Sequence, residues 1–249
     1  MGFQDYKYTL KKYFKFSKDE IFGMIISALL FGFITSFREW GPGDTFELSY
    51  GLKNFMNATF ISLLAVLVHE SAHKAFALHK GHQVKVKVWW NGLIIALALC
   101  FITRGNIWFL ALSGITLTQL TRLKIGVFRH KMRQKDLSLI ALAGPVASII
   151  LATLIKTPMV WFPNLPLNHA LIQKAFVINW SIAIANFLPI PPLDGIHSFF
   201  HSRSLYVSIL GFMVGYGILI YFNIYSWILA LLFAGIVFYA FYHFFERNT

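Results

Sequence analysis

His69 and His73 stand four residues apart in the run His69-Glu70-Ser71-Ala72-His73. Successive helical residues turn by about 100°, so these two imidazoles lie roughly 40° apart on one face and can share one divalent ion. Glu70 lies about a quarter turn away. It is too far round to be a third ligand from the same helix, yet near enough to take a proton from a water held by the ion. The chemistry predicted is metal-assisted hydrolysis, with zinc as the ion. The run falls inside an apolar stretch, 55–78, where bare ionisable groups are costly and mark function. Type, spacing and depth together predict a zinc peptidase centre within a membrane.

Catalytic zinc takes three protein ligands and leaves a fourth position for water, so one more nitrogen or oxygen is required. His79 has the ten-residue offset of the extended metzincin pattern, but Phe76 stands where that pattern needs a glycine turn. A continuous helix carries His79 about 15 Å along the axis and onto another face. No glutamate occurs between Glu70 and Glu246, and Glu246 is in the tail. Asp194 follows Asn186-Phe187-Leu188-Pro189-Ile190-Pro191-Pro192-Leu193, whose prolines must end a helix. By itself that segment reads as a Pro-rich helix exit with a solvated carboxylate. Its position relative to the histidines decides the matter, and that depends on the elements that carry them.

At 249 residues, 57% hydrophobic and 17% aromatic, the chain is too apolar for a soluble domain and reads as one polytopic membrane unit, 1–249. The net charge of +12 does not indicate nucleic acid, because the cations flank apolar runs instead of covering one face. Cys100 is the single cysteine, which excludes a thiolate zinc cluster, and reads as packing. Six runs have spanning length or composition: 21–37, 55–78, 137–155, 169–190, 205–222 and 225–241. The first is expected to be retained, since no small-x-small cleavage site follows it.

The expected fold is all-α and polytopic, a six-transmembrane-helix core with a small β or re-entrant element between the second and third helices. Segment 1–20 mixes tyrosine and phenylalanine with lysine, and suits either a headgroup-level anchor or a solvated basic tail. Within the insertion 81–136, Val84, Val86 and Val88 alternate with Lys85 and Lys87 as a strand does. Trp89-Trp90-Asn91-Gly92 reads as an interfacial turn. The apolar pieces 93–102 and 107–120 are each compatible with strand, re-entrant segment or short helix. Arg122, Lys124, Arg129, Lys131, Arg133 and Lys135 make 121–135 a basic loop outside the hydrocarbon.

Charge gives a topology independent of the motif. The lysines before residue 21 and the basic loop before 137 belong on the cytoplasmic side of the cell membrane, with both termini. Segment 38–53, with Glu39, Asp44 and Glu47 against Arg38 and Lys53, faces outward. The second and fourth spans then both descend inward, bringing His69, His73, Asn186 and the loop of Asp194 to one depth on the cytoplasmic side. Asp194 thereby becomes the preferred third ligand.

With these residues in place the chain resembles the site-2 protease family of intramembrane zinc metalloproteases, most closely its short archaeal and bacterial members. The resemblance is carried by His69-Glu70-Ser71-Ala72-His73, by Ala143-Gly144-Pro145, and by Asn186 through Pro189 with Pro191, Leu193, Asp194 and Gly195. It extends over about 21–222. It implies that His69, His73 and Asp194 hold zinc, that Glu70 is the catalytic acid and base, and that Asn186 helps hold the reacting peptide or its oxyanion. Gly144 and Pro145 would let helices approach closely. The substrate implied is a transmembrane protein or peptide, admitted by movement of the first, fifth and sixth helices. Two departures stand out. Ser148 occupies a position where the family often has asparagine, and 89–99 is longer and more apolar than the usual strand region.

An unwound substrate segment is expected to pair with a strand edge near 84–88. His197 and His201 read as solvated loop residues, and Trp108, Trp161, Trp180 and Trp227 as interfacial or packing groups. Two other functions compete. A catalytically silent scaffold of the same fold would bind membrane proteins without cutting them. A metal-ion transporter would need polar residues at several depths, whereas here they concentrate at one. The oligomeric state has no signature in the chain.

Overall fold

Ser17 sets the start of the first long helix. Its hydroxyl accepts from the Glu20 amide at 3.2 Å, and the Glu20 carboxylate accepts from the Ser17 amide at 2.7 Å, so two otherwise unpaired donors are satisfied at the start of α2 (Lys18–Ser36). The computed structural model describes residues 2–43, 45–119, 122–123, 126–127, 133–162, 164 and 166–247. Asp44, Lys124, Arg129 and Lys131, expected in the outer and basic loops, lie outside those residues.

The basic segment before α2 is a docked helix, α1 (Phe3–Tyr13). Its Tyr6 hydroxyl donates to the Ala75 carbonyl at 3.3 Å, and the Tyr6 ring meets His79 edge-on. The zinc-type run lies on α3 (Leu48–His79), whose 32 residues extend about 48 Å, more than a hydrocarbon core requires. Further along come α5 (Gln134–Trp161), α6 (His169–Asn186), α7 (Gly195–His201), α8 (Arg203–Tyr221) and α9 (Trp227–Phe241).

Among the described residues, α2, α3, α5, α8 and the run Trp227–Glu246 are long and apolar enough to cross a membrane, five in place of the expected six. The remaining predicted run forms α6, but its polar residues keep it below the apolarity of the others. Two of those residues, Asn179 and Asn186, are buried in the protein, and Lys174 is partly buried. Asn179 donates to the Ala175 carbonyl, Asn186 to the Ile182 carbonyl, and Lys174 pairs with Glu39. A helix enclosed by its neighbours need not be apolar all round.

Between α3 and α5 the structure resolves what the sequence left open. The alternating valines form β1 (His82–Val88), paired antiparallel with β2 (Ser113–Gln119), with Val84 opposite Leu117 and Val86 opposite Ile115. Those apolar residues pack with Ala77, Ile140 and Ala141, while Lys85 and Lys87 are exposed on the other face. The expected turn at Trp89-Trp90-Asn91-Gly92 is instead the N-terminus of α4 (Trp90–Ile102), with Trp89 at its cap. After α4 the chain returns in extended form through Leu110, Ala111 and Leu112, all buried. Leu93, Ala96, Cys100, Leu110 and Leu112 join Phe31, Ile34, Ala65, Val66, Ile178 and Ile182 in one core. Cys100 is a packing residue, as expected. A two-stranded pair of two residues each, β3 (Arg122–Leu123) and β4 (Gly126–Val127), follows.

Candidate metal centre

α3 carries His69, Glu70 and His73 into the interior, where all three are buried. The prolines after α6 end that helix at Asn186, and the chain turns so that Asp194 precedes α7. This turn is held at both ends. The Tyr206 hydroxyl donates to the Phe187 carbonyl at 3.1 Å, and Leu193 is buried against Ala111 and Ala185. Gly195 is required there, because a Cβ at that position would overlap the Phe187 carbonyl.

Asp194 Oδ2 lies 3.1 Å from His69 Nε2 and 3.1 Å from His73 Nε2. Among the described residues these three side chains form a group able to hold a metal ion, with one ligand atom of each within 4.8 Å of the others. The outer imidazole nitrogens explain the arrangement. His73 Nδ1 lies 2.8 Å from the Ile140 carbonyl, which can only accept, so Nδ1 is the protonated nitrogen of the neutral ring and Nε2 the one that can bind an ion. His69 Nδ1 is 2.9 Å from the Ser148 hydroxyl, which can accept the same bond. With both imidazoles neutral, two nitrogen lone pairs and a carboxylate oxygen converge in a buried space. A cation satisfies all three at once, and the N,N,O donor set fits a catalytic zinc site. Asp194 Oδ1 has no hydrogen-bond partner, which leaves a second carboxylate oxygen available to an ion.

Gly144 forms the wall of this space. A Cβ there would run into the Nε2 atoms of both His69 and His73, so close approach of α5 to α3 depends on this glycine. Ser148 is one turn further along α5 and on the same face. Ser148 therefore makes a direct contact to a predicted ligand. Its spacing from Gly144 was the available signal.

Glu70 Oε1 accepts a hydrogen bond of 2.5 Å from the hydroxyl of Ser113, while Oε2 has no partner. Ser113 was not singled out by its sequence, since it is a lone hydroxyl in an apolar run with no motif around it. Asn186 makes its hydrogen bonds to backbone and not to the ligand group. Its Oδ1 accepts from the Leu112 amide at 2.9 Å, and its Nδ2 donates to the carbonyls of Leu110 at 3.2 Å and Ile182 at 2.8 Å. It thereby satisfies extended backbone deep in the protein, where water is not available to do so. An oxyanion role would need one of those donors released.

His197 and His201 lie on α7 and are partly buried, in place of the solvated loop expected. Burial holds the His197 imidazole below its usual range, partly offset by Asp194. His79 packs against Tyr6 and Phe76, away from the ligand group.

The expected strand edge at 84–88 is already occupied. Glu20 Oε1 accepts from the Val86 amide at 2.9 Å, and Lys74 Nζ donates to the Val84 carbonyl at 3.3 Å. In an antiparallel pair the residues opposite Val84 and Val86 also turn their amides and carbonyls outward. The edge that remains is therefore that of β2, at Ile115 and Leu117, whose outward groups take no hydrogen bond among the described residues.

No family model and no solved structure matches this chain. Among curated proteins, the chain is similar to "Putative zinc metalloprotease MJ0611" of Methanocaldococcus jannaschii, 29% identical over 187 residues that cover 73% of this chain and 84% of that protein.

Proposed function

We propose that this protein is an intramembrane zinc metalloprotease of the site-2 type, cutting peptide bonds within or near transmembrane segments of other membrane proteins. The observation that carries the reading is the convergence of His69 Nε2, His73 Nε2 and Asp194 Oδ2 in a buried space, with Glu70 next to His69 on the same helix. Its similarity to a protein named as a zinc metalloprotease supports it. So do the five helices of spanning length. In this reading α6 is an enclosed sixth span, and the site and both termini lie on the cytoplasmic side.

His69, His73 and Asp194 hold the ion. When bound, zinc acidifies a water and polarises the peptide carbonyl. Glu70 accepts the proton of the attacking water through Oε2, its unpartnered oxygen, and delivers it to the departing amine. Ile140 and Ser148 keep the imidazoles in the tautomer that presents Nε2. A substrate helix hides its carbonyls in its own hydrogen bonds and must unwind before attack. The outer edge of β2 offers the extended segment backbone partners, and β2 begins at the residue that touches Glu70.

The test is purified protein incubated with a transmembrane peptide, with and without chelator, beside Glu70→Gln. Cleavage that needs the metal and is lost in Glu70→Gln, with metal retained, is the expected result. Chelator-resistant cleavage, or full activity in Glu70→Gln, ends the reading. Ion uptake into vesicles with no product favours transport instead.

A further inference from the structure

We propose that Ser113 is the positioning residue for Glu70, fixing which carboxylate oxygen receives the proton. This rests on the reading of Glu70 as the proton carrier. The terminal torsion of a glutamate is soft and roughly two-fold, so an unrestrained carboxylate exchanges its oxygens freely. A single hydrogen bond to one oxygen removes that freedom. The Ser113 hydroxyl supplies it at 2.5 Å to Oε1, with both residues buried, and Oε2 is left as the oxygen without a partner.

The hydroxyl is itself well held. The Leu112 amide donates to Asn186 Oδ1, the Leu112 carbonyl accepts from the Trp89 amide at 3.3 Å, and Ser113 stands opposite Val88 in the hairpin. Next to it, Gly114 lies against Pro192 of the turn that carries Asp194, so closely that a Cβ there would meet the proline ring and carbonyl. Asn186 and Pro192 thus tie Ser113 to the segment that delivers the carboxylate ligand. Along β2, alternation gives Ser113 the same backbone direction as Ile115 and Leu117. An extended peptide pairing with that edge engages the strand whose first side chain orients Glu70, so substrate docking and alignment of the carboxylate share one element.

The experiment measures kcat, KM and bound zinc for wild type, Ser113→Ala and Ser113→Thr on one transmembrane peptide. Ser113→Ala is expected to lose about tenfold or more in kcat, a fraction of what a general base contributes, with KM within about twofold and zinc unchanged. Ser113→Thr keeps the hydroxyl and is expected to recover most of kcat. Wild-type kcat in Ser113→Ala overturns the proposal, as does a loss that falls on KM or on zinc content. Equal losses in both variants at full zinc occupancy also overturn it. Absence of metal-dependent cleavage by the wild type is the separate failure of the peptidase reading.

Discussion

Lys74 Nζ lies 2.8 Å from Glu20 Oε1, an ion pair between α3 and α2 whose two side chains are each only 6% exposed. Lys74 follows His73 directly, and it also donates to the Lys15 and Val84 carbonyls and sits over the Phe16 ring. One cation therefore joins the chain entering the first long helix, the helix of the histidines and the strand β1.

Removing one partner of a buried pair strands the other charge, at a cost of about 3–5 kcal/mol. Lys74→Met should lower the unfolding free energy by that amount, and Lys74→Met with Glu20→Gln should recover part of it. Pulse proteolysis in detergent measures both. A single-variant loss below about 1 kcal/mol would show that the pair is not effectively buried.

Gly144→Ala forces a methyl group into the space of the two Nε2 atoms. The expected outcome is loss of zinc with helical content preserved, read by metal analysis and circular dichroism. Ser148→Ala acts more gently: it removes the partner of His69 Nδ1 and should weaken zinc binding by about 10–100-fold. Competition with a chromophoric chelator gives that number, and unchanged affinity would remove Ser148 from the site.

Asn186→Leu deprives the Leu112 amide and the Leu110 carbonyl of their partner. Each orphaned buried group costs about 1–3 kcal/mol, so the return segment from α4 to β2 should open more readily. Hydrogen exchange at Leu112 is expected to accelerate by more than tenfold relative to residues of α8. Equal protection in the two proteins would contradict the pinning role.

His82 is buried on β1, and burial lowers its pKa, partly offset by Asp136. Its folded-state value lies below the unfolded value, so the unfolded chain takes up the proton first as pH falls. The stability contributed by the neutral imidazole is present above about pH 6.5 and is lost as pH drops through the folded value. Wild type should therefore lose stability in that window faster than His82→Gln does, measured by unfolding between pH 7.5 and about 5. Parallel curves would place the titration elsewhere.

The group of His69, His73 and Asp194 that could hold a metal ion, and the helix that carries its two histidines, were legible in the amino-acid order. Two histidines one turn apart in an apolar run, a proline-broken helix exit before Asp194 and charge asymmetry across the spans are local signals. The alternating valines announced β1 in the same way. The partners of the chemistry were not legible. Ser113 reaches Glu70 across 43 residues and Asn186 reaches Leu112 across 74, and neither contact leaves a periodicity or a spacing behind. Nor could the sequence say which of two strand edges is taken by a buried ion pair, or that α6 is enclosed and so need not be apolar. Local patterning records which face of an element is buried; what that face meets depends on how separate elements pack, and only the folded chain decides it.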